Sequence, residues 1–404
     1  MDTRTSLLMV QRWLAALGLV TGGCALDEEA SGEPPTCIDG SPRLPPSAEH
    51  PRAQALQSAL ESAVDAGVPG VAMAIRDHDG VWEGAAGFAD LGRGTPMETC
   101  HRTRIASVTK TFVAATVLRL VDQGLLRLDA TLAELLPDRR DQVSNADRIT
   151  VRQLLSHTSG VYNFLDVELV LELFNRPNRT WTVAECFEHA ADRAPEFTPG
   201  TDWAYSNTNY ILLGWIIESV TGMPHEDVMR EELFEPLELR QTSYRVDDFD
   251  VSGVAHGYFD LFGDRALIDS TESYANLCIG PDGGMISSTH DVLVFFDHLF
   301  AQEDLLTDAS LAQMRPFTAT GDPTFPSYGL GVETWGEGER LAYGHGGHEF
   351  GYRTFAYYFP SRDLTFVVWF NASSLLPSDD NIAATIDAQR NLLRDLALGL
   401  EVPE

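Results

Sequence analysis

Of the 28 basic residues in this chain of 404, a single one is lysine, Lys110, and it lies three residues after Ser107. Arginine serves wherever only a permanent positive charge is needed. A lone lysine among arginines therefore points to a position that needs a compact amine able to lose its proton. Residues three apart share a helix face, so the Ser107 hydroxyl and the Lys110 amine can meet. A serine hydroxyl becomes a nucleophile when a neighbouring base takes its proton, and a lysine does so once burial has lowered its pKa from about 10.4. Val108, Phe112 and Val113 supply apolar surroundings for such an amine. Ser107 at the start of a helix also aims free backbone N–H groups at a developing oxyanion.

Two further stretches could complete a site. Tyr205-Ser206-Asn207 follows Pro199-Gly200 and stands just ahead of a helical pattern from Tyr210 to Val220. A tyrosine held near an ammonium can ionise and relay protons, and an asparagine amide can both donate to and accept from a substrate peptide bond. The plainer reading is a core tyrosine beside a capping serine or asparagine. His345-Gly346-Gly347 lies between strand-like segments. Its glycines let a substrate backbone approach a strand edge, and its imidazole can donate to that backbone. The plainer reading here is a glycine-rich turn with an incidental histidine.

Other chemistries lack their signatures. The only lysine follows Thr109, so there is no Gly-Lys phosphate loop, and no serine has glycine two residues away on both sides. Neither His225-Glu226 nor His348-Glu349 continues to a histidine three residues on, and His345, His348 and Glu349 have no helical spacing. No metal and no cofactor are expected.

The elements that must position these residues read as a mixed α/β architecture. A helix is expected over 51–66, then a hairpin with strands around Val71–Ile75 and Val81–Phe88 turning at Asp77-His78-Asp79-Gly80. A helix from about Ser107 to Gln123, stopped by Gly124, is apolar around most of its circumference and so reads as buried. Residues 125–325 hold helical stretches between long loops; residues 328–371 return to strand composition, with Tyr352–Phe359 and Leu364–Phe370 flanking Pro360-Ser361-Arg362-Asp363; a last helix fills about 380–398. Strands at both ends and helices between them imply one antiparallel sheet closed by the two chain ends, flanked by helices and carrying a mainly helical inserted domain.

With 60 acidic against 28 basic residues the formal charge is −32, which repels phosphate backbones and argues against a nucleic-acid partner. No uninterrupted apolar run reaches the roughly 20 residues of a bilayer span. Residues 1–24 read as an export leader: Arg4 and Arg12, the apolar stretch Trp13–Val20, then Thr21-Gly22-Gly23 before Cys24. That pattern resembles a bacterial lipoprotein signal with Cys24 as the lipidated residue, plain cleavage being the alternative. Membrane contact is expected only through such an anchor, in the periplasm, on the envelope or after secretion. Residues 25–51 are acidic and proline-rich, a tether, and 52–400 form the catalytic domain. Cys37, Cys100, Cys186 and Cys278 allow three disulfide pairings, among which the sequence does not choose. It is equally silent on oligomeric state.

Together, Ser107-x-x-Lys110, Tyr205-x-Asn207 and His345-x-Gly347 resemble, in order, the signature of the serine penicillin-recognising family: class C β-lactamases, D-Ala-D-Ala carboxypeptidases and related esterases and D-aminopeptidases. The likeness extends to Arg104-Ile105-Ala106, to Val151 through Gly160, to Pro199 through Gly214 and to Gly283 through Ser288. It implies Ser107 as the acylated nucleophile, Lys110 as its base, and Tyr205 as the proton relay. It further implies Asn207, His345, Gly346 and Gly347 in substrate binding, and the N–H groups of Ser107 and His348 as oxyanion hole. His157, inside a well-matched stretch, reads as structural. The third motif has His345 and Gly346 where many members carry lysine and threonine, which removes two groups that hold a substrate carboxylate. The expected substrate is a small molecule or peptide, such as one derived from peptidoglycan. The activity is carboxypeptidase-like or esterase-like, with a β-lactamase or a catalytically silent peptidoglycan-binding lipoprotein as alternatives. Arg340 and Arg353 are the nearest arginines in sequence that could replace the missing cation.

Overall fold

The computed structural model describes residues 50–176, 179–244, 253–272, 278, 280–376 and 380–401. Cys24, Cys37, the leader and nearly all of the tether lie outside them.

Helix α1 (Ala53–Asp65) is followed by strands β1 (Gly70–Asp77) and β2 (Gly80–Asp90), the expected hairpin. Its turn closes because the Asp77 carboxylate accepts the Asp79 N–H at 2.8 Å while Gly80 takes a φ of +115° that a side chain would resist. Short strands β3 (Thr95–Pro96) and β4 (Thr103–Arg104) lead into helix α2 (Thr109–Asp122). The C-terminal part supplies β9 (Thr318–Asp322), β10 (Phe325–Tyr328), β11 (Glu333–Trp335), β12 (Ala342–Glu349), β13 (Tyr352–Phe359) and β14 (Leu364–Phe370). These assemble into one nine-stranded antiparallel sheet in the order β3-β2-β1-β14-β13-β12-β11-β10-β9. The two chain ends meet where β1 pairs with β14, Val71 opposite Phe370. The expected sheet is therefore the observed one.

All seven residues of β14 are buried because the sheet is covered on both faces. Phe355, Tyr357 and Phe359 of β13 and Phe366, Val368 and Phe370 of β14 face one core, with α1 and the last helix, α6 (Ile382–Ala397). Ala356, Tyr358 and Val367 face the other, against α2 and the helices of the middle segment. Each such large side chain contributes about 1.5–3 kcal/mol when fully removed from water.

The middle segment holds the expected helices, among them α3 (Val183–Glu188), α4 (Asn207–Thr221) and α5 (Thr289–Phe296). It also holds strands that periodicity did not reveal. β5 (Ser243–Tyr244) and β8 (Met285–Ser287) join β4 in a three-stranded sheet, while β6 (Tyr258–Asp260) pairs with both β7 (Leu267–Asp269) and β15 (Ala372–Ser373) in another. Strands of two or three residues show no alternation long enough to read. A second correction concerns His345-Gly346-Gly347, which lies inside β12 and not between strands. Glycines argue against a strand locally, but pairing of β12 with β13 from Tyr343–Tyr358 through Glu349–Tyr352 overrides that preference.

Among the open cysteine pairings, the structure selects Cys186 with Cys278, and Cys100 is disulfide-bonded as well. The Cys186–Cys278 bridge closes a loop of 92 residues and ties α3 to the segment that leads into Asp282. By the chain-entropy account a loop of that size is worth about 4–5 kcal/mol. Replacing both cysteines by alanine is expected to lower the urea midpoint by an amount corresponding to at least about 2 kcal/mol, measured by equilibrium unfolding.

Candidate active site

Ser107 sits on a 3-10 turn, Ala106–Val108, that feeds directly into α2. Ala106 has a φ of +47°, a left-handed conformation that costs a residue with a Cβ. The turn is held because β12 packs against it: at Gly347 a Cβ would run into the Ile105 carbonyl oxygen and the Ala106 methyl. Only glycine lets the strand come this close, which is the physical content of the third motif's last residue.

The Lys110 side chain is completely buried, and its Nζ lies 3.1 Å from Ser107 Oγ, 2.8 Å from Asn207 Oδ1 and 2.5 Å from the Asp282 carbonyl oxygen. The last two can only accept. A neutral amine has two N–H bonds and one lone pair; with both N–H groups given to Asn207 and Asp282, the lone pair is left for the Ser107 hydroxyl. The surroundings thus orient the lysine as a base. Burial pulls its pKa down from 10.5 to about 8, against the opposing pull of the Asp282 and Glu333 carboxylates.

Asn207 opens α4, a turn earlier than the helical pattern indicated, so Tyr205-Ser206-Asn207 straddles the helix start. Its amide is engaged inside the protein: Oδ1 accepts from Lys110 Nζ, while its backbone N–H and one Nδ2 hydrogen are donated to Asn163 Oδ1 at 3.0 and 3.4 Å. Asn163 carried no sequence signal, being one polar residue in a loop. Tyr205 is hydrogen-bonded to Ser107, and Lys110 Nζ lies 5.0 Å from its ring centre. At rest this tyrosine is held in its protonated form. Desolvation first, then the Glu333 and Asp282 charges, push its hydroxyl well above 10, more than the Ser107 hydrogen bond lowers it. It is a neutral hydroxyl, able to accept one proton and donate another.

Tyr205 is clamped between two rings, with His157 at 4.3 Å on one side and Phe325 stacked at 4.8 Å and 6° on the other. His157 is completely buried, with a φ of +58°; its Nδ1 accepts the Ser206 N–H at 3.1 Å. That supports the structural reading of this residue. Phe325 comes from the β9–β10 hairpin, which the sequence assigned to no role.

His345 faces the same space but is not available to a substrate. Its Nδ1 contacts the Gly346 carbonyl at 2.6 Å and its Nε2 the Tyr328 hydroxyl at 2.9 Å, so neither nitrogen is left to donate outward. Burial drives its pKa down to about 3, so it supplies no cation. The proposed substitutes are committed elsewhere: Arg340 to Asp395 at 2.9 Å and Arg353 to Asp387 at 3.0 Å. The Gly346 N–H points away from β13 and donates to Glu333 Oε1 at 2.9 Å. Strand alternation sends the His348 N–H to that same edge, beyond the end of β11 and beside the Ser107 turn, where an oxyanion donor is required.

Residues 53–390 match the family described as Beta-lactamase. The chain belongs to the β-lactamase family, whose members are serine hydrolases. A β-lactamase-family relative, penicillin-binding protein 4 of Amycolatopsis lactamdurans, is 28% identical over 353 residues, covering 83% of this chain and 88% of that protein. A D-aminopeptidase of Cereibacter sphaeroides (strain KD131 / KCTC 12085) is 28% identical over 361 residues, covering 86% of this chain but 64% of that longer protein. The β-lactamase-family fold is seen in the crystal structure of D-amino acid amidase from Ochrobactrum anthropi SV3 complexed with D-phenylalanine. That structure is 25% identical, with a TM-score of 0.74 and 85% and 99% of the two chains covered. Two groups of possible metal ligands occur among the described residues, His50 with Asp77 and Asp79 and Glu218 with His225 and Glu226; neither includes a residue of this site.

For a neutral ester, since the base must be unprotonated, kcat/KM is expected to rise with pH as Lys110 loses its proton near 8. Lys110→Arg keeps the charge and cannot release it, so at least a thousandfold loss of turnover is expected at every pH, with an unchanged circular dichroism spectrum. A Lys110→Arg enzyme that kept the wild-type profile would show that another group is the base.

Proposed function

We propose that this protein is an exported serine hydrolase that cleaves a small amide or ester through an acyl-enzyme on Ser107. The observation that carries this reading is the hydrogen-bond set of Lys110, which leaves its lone pair to Ser107 Oγ alone. Lys110 takes the hydroxyl proton as Oγ bonds to the substrate carbonyl carbon. The oxygen that becomes negative is met by the N–H groups of Ser107 and His348. Tyr205 gives its proton to the leaving nitrogen or oxygen as that bond breaks, and the proton that Lys110 took from Ser107 restores the tyrosine, whose ring centre lies 5.0 Å from Nζ. Water then repeats the sequence on the ester carbonyl, which frees the acid and restores Ser107.

Between carboxypeptidase-like and esterase-like action, the site supports substrates that need no carboxylate clamp. His345 is neutral and internally bonded, and Arg340 and Arg353 are paired with Asp395 and Asp387. The names of the relatives, a D-aminopeptidase and a D-amino acid amidase beside a penicillin-binding protein, fit hydrolysis of D-configured amides or peptides. The intact Ser107–Lys110–Tyr205 set argues against a silent binding protein. Export is supported by the leader-like residues 1–24 and by disulfides, which persist in oxidising compartments. No helix among the described residues is long and apolar enough to cross a membrane; attachment, on this reading, is through a lipid on Cys24.

A fluorophosphonate is expected to add to Ser107, seen as an intact-mass increase that maps to its peptide and is absent from Ser107→Ala. For p-nitrophenyl acetate against a chromogenic cephalosporin in one buffer, kcat/KM is expected to favour the ester. One missing charge-assisted hydrogen bond accounts for roughly 10- to 150-fold of that difference. Cephalosporin turnover equal to or above that of the ester would mean that another cation serves the carboxylate.

A further inference from the structure

Two carboxylates that the acyl-transfer chemistry does not use act electrostatically on Lys110 and Tyr205. Glu333, at the end of β11, is 6% exposed. Its Oε1 accepts the Gly346 N–H and the Tyr357 hydroxyl, while its Oε2 is buried with no partner. Asp282 offers its backbone carbonyl to Lys110, and its side-chain Oδ1 is likewise buried without a partner. Buried acceptor oxygens are nearly always bonded, and a carboxylate left bare inside a protein is costly.

The charges around them do not balance. Among the described residues Lys110 is the only cation in contact with the nucleophile, and both carboxylates act on it electrostatically. The arginines nearby are committed. Arg390, which also acts on Glu333, lies against Trp335 and Phe355 and pairs with Asp387, and Arg104 pairs with Glu349. His345 is neutral. The described site therefore holds two acids against one base, and Glu333 is bonded to the residue that follows the neutral His345.

We propose that the acyl donor carries a protonated amine close to its scissile carbonyl, as a free-amine amino-acid amide, peptide or ester does, and that Glu333 receives that ammonium, the Asp282 charge acting with it on Lys110. The proposal rests on the acyl-enzyme reading above and adds the charge of the substrate to it. Burial has pushed Glu333 up to about 7 and Asp282 upward from its ordinary range. An arriving ammonium reverses the cause, since it supplies the missing partner. It also offsets the two negative charges that hold the Lys110 proton, so binding the correct substrate helps to free the base. An anionic substrate meets the opposite situation.

The test uses three p-nitroanilides of D-phenylalanine at pH 7 and fixed ionic strength: the free amine, its N-acetyl form and its N-succinyl form. In the wild type, kcat/KM is expected to be about tenfold or more higher for the free amine than for N-acetyl, the scale of one charge-assisted hydrogen bond, with N-succinyl lowest. In Glu333→Gln the free-amine to N-acetyl ratio is expected to fall toward one. Asp282→Asn, which keeps the backbone carbonyl for Lys110, is read the same way and carries the test if Glu333→Gln does not fold. Fluorophosphonate labelling of Ser107 in each protein reports an assembled site. A labelled wild type that shows no preference for the free amine, or that cleaves none of the three, overturns the proposal. A labelled Glu333→Gln that keeps the wild-type ratio overturns it too. A wild type whose Ser107 does not label overturns the acyl-enzyme reading first, and this one with it.

Discussion

An amine sealed from water is the constraint around which this molecule is organised. Lysine surrenders its proton near neutral pH only when hydration of its charged form is denied, and that denial costs several kcal/mol unless the buried amine keeps its hydrogen bonds. Lys110 meets both conditions because α2 runs through the apolar core on one face of the sheet, while Asn207 from α4 and the Asp282 carbonyl reach in to take its protons. Three segments far apart in sequence must therefore be placed to within a few tenths of an ångström. The closure of the sheet by β1 and β14, the strained Ala106 turn and the side-chain-free approach of Gly347 all serve that placement.

The same burial that lowers Lys110 raises every acid and phenol around it. Tyr205 stays a neutral hydroxyl for this reason, held by rings on both faces and by its bond to Ser107, which suits a relay that must accept and donate in turn. Glu333 and Asp282 are pushed upward by the same effect, so the site rests with a reservoir of negative charge that is only partly expressed. A site of this kind distinguishes substrates by their charge as much as by their shape. The fold itself serves several chemistries among the relatives, and it is these few side chains that separate them.

The loop carrying Asp282 shows how a distant covalent feature enters this balance. Cys278 lies four residues before Asp282 and is bonded to Cys186 on α3, a helix with no part in the chemistry. That bond limits the freedom of a segment whose backbone carbonyl is one of the two acceptors orienting the base. A single carbonyl has no side chain to specify it, so its position depends on what anchors the chain around it.

The sequence by itself determined the outline and pointed to the serine and lysine of the site. Periodicity showed α1, the β1–β2 hairpin, the buried α2 and the strands β13 and β14, because long apolar patterns of fixed period leave few alternatives. The single lysine and its spacing from Ser107 marked the reacting pair, since a shared helix face is a property of local geometry alone. Tertiary structure decided the rest. Which cysteines pair, that His345 is spent within the protein, that Arg340 and Arg353 serve other carboxylates, and that Asn163, Asp282 and Glu333 border the site all depend on contacts between residues remote in sequence. Polar side chains in loops and on short strands carry no periodic signal; their roles are set by which neighbours the packed core brings to them and how much water it leaves.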